Sequence, residues 1–338
     1  MKLEYPERIS LARVPTPLEY TGNLSSRLGV RNHIYIKRDD LTGGCLSGNK
    51  VRKLEFLLAE ARKEQAQVII TAGGVQSNHC RATAAACAKL GFRCHLILRG
   101  GASQPYDGNL LLDKLLGAEI SFYPRDVFCS NYEQILQETV DFYHKQNLKT
   151  YYYPIGGSVP TGSWGYIKAF EEICTDVDEL KRTKPELNNR KWYIVCADGS
   201  GGTHAGLLLG KYLLNRHDVD IIGFNVCDDP AYFYTAIKTI ITGFREKYLA
   251  DIVPEKIVPR IIGGYVGEGY AIPYDESINA IRLLARHEGI VLDPVYTGKA
   301  FYGMLDQLQK NFFDEDALIV FLHTGGLYSV FSYLDTFV

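Results

Sequence analysis

Lys50 closes a glycine-rich run, Gly43-Gly44-Cys45-Leu46-Ser47-Gly48-Asn49-Lys50, and an apolar stripe at Val51, Leu54, Leu57, Leu58 and Ala61 begins directly after it. That spacing predicts a helix, with Asn49 as its N-cap and Lys50 at its first position. Most lysines are solvated surface groups, but a cation is disfavoured at a helix start, where the dipole presents its positive end. That field, together with Lys53 one turn on, predicts an amine pKa below the usual ~10.4. A neutral amine is a nucleophile toward carbonyl carbon, the first requirement of Schiff-base chemistry. Gly43 and Gly48 also mimic the glycine spacing of a nucleotide-binding loop. Asn49 intrudes before the lysine, however, and no Ser or Thr follows it, so nucleotide hydrolysis is not supported.

Two further loops have the composition of anion cradles. Asp198-Gly199-Ser200-Gly201-Gly202-Thr203-His204 follows an apolar run and opens a helical one. Glycines there let backbone amides close around a phosphate, and the helix start adds positive potential. His204 stands where a dinucleotide fingerprint needs glycine, which weakens a nicotinamide or flavin reading. Gly73-Gly74-Val75-Gln76-Ser77-Asn78-His79 is a second turn of this kind, in which Ser77 and Asn78 also suit plain helix capping. Two cradles and one perturbed amine match the phosphate, carboxylate and imine of an adduct between pyridoxal 5′-phosphate and an amino acid.

The elements that must position these loops alternate along the chain. Val68–Ile70, Cys94–Leu98, Trp192–Ala197, Ile221–Val226 and Ala317–Leu322 read as strands. Helical segments at 82–90, 110–116 and 205–214 follow three of them, which predicts an α/β fold with largely parallel sheets. Ligands in such folds bind beyond the carboxyl ends of the strands. The rhythm breaks between Pro154 and Gly165. A length of 338 residues suits about two domains. Hydrophobic residues at 46% and charged residues at 22% describe a well-packed globular chain. A net charge of -2 leaves no basic surplus for nucleic acid or an anionic membrane, so the expected partner is small. No segment reads as a signal peptide or a membrane span. The eight cysteines form no CxxC pair and the eight histidines no HExxH, so free thiols, a cytoplasmic setting and no metal are expected.

Together the loops resemble the D-cysteine desulfhydrase and 1-aminocyclopropane-1-carboxylate (ACC) deaminase family of fold-type II pyridoxal-phosphate enzymes. Ser47 to Glu55 resembles its cofactor-lysine motif, Gly73 to His79 its serine loop and Gly199 to Thr203 its phosphate loop. Asp293 to Ala300 and His323-Thr324-Gly325-Gly326 complete the set. The resemblance spans about Arg38 to Gly326 and implies two open parallel-sheet domains. The larger would comprise residues 1–51 and 161–338, the smaller residues 52–160, and the enzyme would be a homodimer. It further implies that Lys50 carries the cofactor and later acts as base. Lys53 and Gly199, Ser200, Gly201, Gly202 and Thr203 would hold the phosphate. Asn78 would bond the cofactor's phenolic oxygen, the amides of Ser77, Asn78 and His79 would receive the substrate carboxylate, and Ser77 would join the chemistry. Tyr296 would stack on the pyridine ring and Tyr270 would line the substrate pocket. In the deaminases a glutamate follows the stacking tyrosine and a leucine precedes the last Gly-Gly; Thr297 and Thr324 stand there in this chain. A hydroxyl bonds a neutral ring nitrogen but does not hold a proton on it by charge, and the weaker electron sink suits departure of thiolate. The expectation is therefore β-elimination of D-cysteine to pyruvate, hydrogen sulfide and ammonia. ACC deamination and sulfo-lysis of L-cysteate are the alternatives, and a catalytically silent pyridoxal-phosphate-binding protein is the alternative outside enzymes.

Overall fold

The structure is a computed structural model describing residues 3–101, 103 and 105–337. Its strands are β1 (Leu18–Tyr20), β2 (His33–Lys37), β3 (Val68–Gly74), β4 (Arg93–Arg99), β5 (Glu119–Tyr123), β6 (Thr150–Tyr152), β7 (Trp192–Asp198), β8 (Val219–Asn225), β9 (Ile261–Ile262) and β10 (Leu318–Leu322). They form two sheets, one ordered β1-β2-β10-β7-β8-β9 and the other β5-β4-β3-β6. Every pairing is parallel except β1 on β2. The fold is thus two α/β units with parallel sheets, as the alternation of strands and helices requires.

Each of the five strands visible in the sequence is present, because both faces of these sheets are covered. Along β7, Trp192, Ile194 and Cys196 enter one core with the helices Pro160–Thr183, Gly202–Leu213 and Pro230–Tyr248. Tyr193, Val195 and Ala197 enter another core with the helices Asp275–Glu288 and Thr297–Gln309. A strand buried on both sides reads as an unbroken apolar run. In the smaller sheet, Ile69 faces the helices Asn49–Lys63 and Asn78–Leu90, while Val68 and Ile70 face the helix Arg125–His144.

One expectation is corrected at the helix that carries Lys50. Asn49 is not the cap: the helix runs from Asn49 to Lys63 and its N-cap is Gly48, at φ +94°. A Cβ at residue 48 would lie 2.7 Å from the Thr324 carbonyl oxygen, so the close approach of two backbones requires glycine. The Asn49 amide donates to that same oxygen at 3.0 Å, and its side-chain amide donates to Thr203 Oγ1 at 3.0 Å.

A buried charge network locks this helix to the larger sheet. Arg52 donates to both oxygens of Asp39, at 2.9 and 2.7 Å, and to Glu172 at 2.9 Å. Asp39 also accepts from Thr16 at 2.9 Å and from the Tyr166 hydroxyl, and its carbonyl receives the Gly48 amide at 3.0 Å. Arg52 and Asp39 are 3% and 0% exposed, so removing one partner strands the other charge in a dry interior. Arg52→Met should destabilise the protein by about 3–5 kcal/mol, read as a fall in the urea midpoint of unfolding.

Candidate active site

A cavity opens where the carboxyl ends of β3, β7 and β10 converge. Lys50, Ser77, Asn78, His79, Gly199, Ser200, Gly201, Thr203, Tyr296 and Thr324 all line it, together with Asn49, Ile155, Gly156 and Ala197. Residues spread over more than 270 positions therefore meet at one point, since Lys50 and Thr324 stand on a single wall. Lys53, Gly202, Tyr270 and Thr297 are not on that inner wall. Lys53 lies just behind it, for a Cβ on Gly202 would come 2.8 Å from its Nζ. Tyr270 lines an outer chamber that also touches Ser77, Gly199 and Tyr296, and its hydroxyl meets that of Tyr296 at 2.5 Å.

Burial brings the Lys50 amine down to about 8. Desolvation by the protein is the leading cause, rather than the helix start or Lys53 invoked from sequence. The effect of charge runs the other way: Lys53 is held well below the ordinary lysine range by burial first and by Lys50 second. Among the described residues, Lys50 Nζ has one distant acceptor, the Gly156 carbonyl at 3.5 Å, and Lys53 Nζ reaches the same oxygen at 3.3 Å. Gly156 and Gly157 adopt φ +75° and +57°, presenting that carbonyl to both amines. The Ile155–Ser158 stretch was legible in sequence only as a break in the rhythm, although the glycine pair itself was a signal of unusual backbone.

The glycine loop has the geometry of an anion cradle. Gly201 is left-handed at φ +74° and caps the helix Gly202–Leu213. Among the described residues, the amides of residues 199–203 have no protein acceptor. Ser200 Oγ accepts from Ser158 Oγ at 2.9 Å, and a Cβ on Gly202 would fall 2.5 Å from that Ser158 hydroxyl. Free amides, two hydroxyls and the Lys53 amine thus surround one small volume, and these donors suit a phosphate.

In the second cradle, Ser77 is the N-cap of the helix Asn78–Leu90, its Oγ accepting from the Cys80 amide at 3.2 Å. Its own amide donates to the Gly74 carbonyl at 3.0 Å, so of the three amides expected to receive a carboxylate, those of Asn78 and His79 remain free. Asn109 donates to Asn78 Oδ1 at 2.9 Å, which leaves the Asn78 Nδ2 hydrogens for the cavity. His79 Nε2 lies 3.0 Å from Thr71 Oγ1, and that hydroxyl gives its only proton to the Tyr153 carbonyl at 2.9 Å. His79 must therefore donate from Nε2 and keep a bare lone pair on Nδ1, which is buried without a partner. Burial, then Lys50 and Lys53, hold this imidazole well below its ordinary range. Neither the Asn109 support nor the bare His79 nitrogen was accessible from sequence.

On the opposite side, a Cβ on Gly199 would lie 2.8 Å from the Tyr296 ring, so glycine lets that ring close over the loop. The two threonines separate. Thr324 lines the cavity, and among the described residues nothing claims its hydroxyl. Thr297 is fully buried and gives its proton to Asp293 Oδ1 at 2.6 Å while accepting from the Asp293 amide at 2.9 Å. Beneath the glycine loop, Cys196, Asp198 and His204 bring their ligand atoms within 4.8 Å of one another. The sequence showed no such convergence because two of these groups ride a strand and one rides a helix.

Residues 9–325 match the family described as pyridoxal-phosphate dependent enzyme. The chain belongs to this family. It is 40% identical over 333 residues to the bifunctional D-cysteine desulfhydrase/1-aminocyclopropane-1-carboxylate deaminase, mitochondrial, of Arabidopsis thaliana, covering 96% of this chain and 80% of that one. It is 38% identical over 335 residues to a D-cysteine desulfhydrase of Salmonella newport, covering 96% of each. Among solved structures, one titled an ACC deaminase homologue is 37% identical, with a TM-score of 0.83, covering 98% of this chain and 95% of that one. The cavity fits the family's cofactor on its own chemistry. It holds an amine poised to be neutral, a cradle of unfilled amides, and a tyrosine ring flanking the space between them. Among the described residues, no helix is long and apolar enough to cross a membrane.

Two measurements follow from this geometry. The neutral fraction of Lys50 rises tenfold per pH unit below its pKa. Cofactor uptake by stripped protein should therefore climb with pH and level off near pH 8, rather than above 10 as for an ordinary lysine. Gly202→Ala inserts a methyl between Ser158 and Lys53. It should weaken cofactor retention roughly tenfold or more, scored by absorbance after gel filtration, with little change in far-ultraviolet circular dichroism.

Proposed function

We propose that this enzyme catalyses β-elimination from D-cysteine, releasing pyruvate, hydrogen sulfide and ammonia, with Lys50 as the residue that carries the cofactor. The observation that carries this reading is Thr324 on the cavity wall, whose hydroxyl would partner the cofactor's ring nitrogen. When bound, the cofactor supplies an aldehyde for the substrate amine and a sink for the electrons freed at the substrate α-carbon. A hydroxyl partner makes that sink weak, which favours reactions whose electrons leave promptly with a good leaving group. Thiolate is such a group; the ACC ring offers none. Thr297 drops out of the argument, because Asp293 occupies its hydroxyl.

Lys50, once released, would take the α-proton at Nζ, a base of about the right strength for neutral pH. Ser77 would orient the substrate carboxylate, with the free amides of Asn78 and His79 as donors. Tyr296 would cover the ring, and its contact with Tyr270 would hold both phenols at the entrance to the leaving group. The Arabidopsis and Salmonella relatives carry the desulfhydrase name, which supports the substrate assignment. The eight free cysteines support a reducing setting such as the cytoplasm, and a homodimer is proposed as the working state. Residues 52–160 form the smaller domain in this reading.

Assays of sulfide from D-cysteine and of ammonia from ACC, on one preparation, test the assignment. D-cysteine should be the better substrate, and preference for ACC would refute the hydroxyl argument. Sulfite from L-cysteate with neither of these two reacting would keep the elimination and move the substrate. Ser77→Ala should lower kcat by roughly a hundredfold, whereas a mere cap would cost only about 1 kcal/mol of stability and leave kcat unchanged.

A further inference from the structure

The hydrogen bonds behind the second cradle run in one direction, and that direction is set outside the cavity. Arg81 lies on the helix Asn78–Leu90 and is fully buried. Its Nη1 donates to the Cys45 carbonyl and, at 3.1 Å, to that of Ser47, both in the run that leads to Lys50. Its Nε donates to Asn109 Oδ1 at 3.2 Å. A guanidinium accepts no hydrogen bond, so the atom of Asn109 that meets it must be the oxygen. The other end of the same amide is constrained independently, because Asn109 Nδ2 lies 3.0 Å from the Gln76 carbonyl, which can only accept. Asn109 is itself buried, and its backbone amide donates to Gln76 Oε1 at 2.8 Å. Its side chain therefore has one permitted orientation, and its remaining hydrogen falls on Asn78 Oδ1 at 2.9 Å. With that oxygen occupied, Asn78 has only N–H to show to the cavity it lines.

We propose that Asn109, its polarity fixed by Arg81, is a positioning residue that compels Asn78 to offer N–H rather than oxygen to the cofactor's phenolic oxygen, and thereby sets how readily the proton between that oxygen and Lys50 is lost. This deepens, and rests on, the reading in which Lys50 carries the cofactor and Asn78 bonds its phenolic oxygen. Asn109 is not among the residues that line the cavity, so it acts through Asn78 alone. An N–H donor stabilises the bare phenolic oxygen, and the shared proton then leaves at lower pH. An amide oxygen in the same place would set lone pair against lone pair and hold the proton on. In a dry site the difference between the two is large, and hydrogen bonds in series reinforce one another. The same arginine grips the carbonyls of Cys45 and Ser47. The run that delivers Lys50 and the group that tunes its proton are thus held by one side chain.

The test titrates the visible absorbance of the holoenzyme against pH, since the midpoint of that band reports the shared proton. Asn78→Ala deletes the donor and should raise the midpoint by about one pH unit, the size of one hydrogen bond to a charged group. Asn109→Asp keeps the shape but offers only acceptors, so Asn78 turns its N–H to the new carboxylate and its oxygen to the cofactor. It should raise the midpoint by more than Asn78→Ala does, because reversal opposes the anion where deletion only stops supporting it. Combining the two separates orientation from added charge: with Asn78→Ala already present, Asn109→Asp should add almost nothing. Asn109→Leu, neutral and of similar size, should give part of the Asn78→Ala shift, and it carries the test if the aspartate variant does not fold. A midpoint untouched by the Asn109 variants would overturn the proposal. So would an Asn109→Asp shift that persists undiminished beside Asn78→Ala, which marks a charge effect. The two readings fail separately: no pyruvate from D-cysteine, with the midpoints in this order, would sink the elimination and leave the positioning role standing.

Discussion

The site depends on one close passage of backbone against backbone, where Gly48 and Asn49 meet Thr324 and Gly325. The Asn49 amide, which no turn of its own helix can satisfy, finds the Thr324 carbonyl at 3.0 Å. A Cβ on Gly325 would approach Gly48 Cα to 2.8 Å, so neither partner tolerates a side chain. This contact fixes the start of the lysine helix against the end of β10. The Asn49 side chain then reaches Thr203 at 3.0 Å, which ties the glycine loop to the same point. The lysine helix, the Thr324 wall and the glycine loop thereby share a single reference.

The cavity this contact organises has a biased electrostatic character. Lys50 lines it and Lys53 lies just behind it, each amine lowered by burial. His79 offers only a bare nitrogen, and no carboxylate is among the residues that line the inner wall. Such a space disfavours added positive charge and rewards a dianion. Asp198 and His204, paired at 2.9 Å directly beneath the glycine loop, are sealed from solvent at 1% and 0% exposure and stabilise the floor rather than face the ligand.

Much of this was legible in the sequence, and for a physical reason. Strands buried on both faces, such as β7 and β10, leave unbroken apolar runs, and anion loops need glycines at fixed offsets, so local spacing records both. Short strands such as β6 and β9 leave no such run. What stayed hidden is side-chain commitment between remote segments. Thr297 reads as a free hydroxyl until Asp293 is seen to claim it. Asn109 looks like an ordinary helix residue until it is found orienting Asn78. Arg52 looks like part of a basic stripe until Asp39 and Glu172 are found around it. The shift at Lys50 was anticipated in direction but not in cause, because desolvation belongs to the assembled cavity and to no local motif.

The order of strands in the larger sheet bears on how the protein is made. β10 (Leu318–Leu322), far beyond β7 in the chain, lies between β2 and β7 in the middle of the sheet, and among the described residues no other strand joins β2 to β7. A ribosome emitting this chain exposes β2, β7 and β8 long before the strand that joins them exists, while the smaller sheet, complete by Tyr152, is able to fold as it emerges. The larger sheet therefore closes only after β10 has been made. A chain cut short before β10 yields a half-folded product with an open sheet edge on both sides of the gap, and not a shortened enzyme.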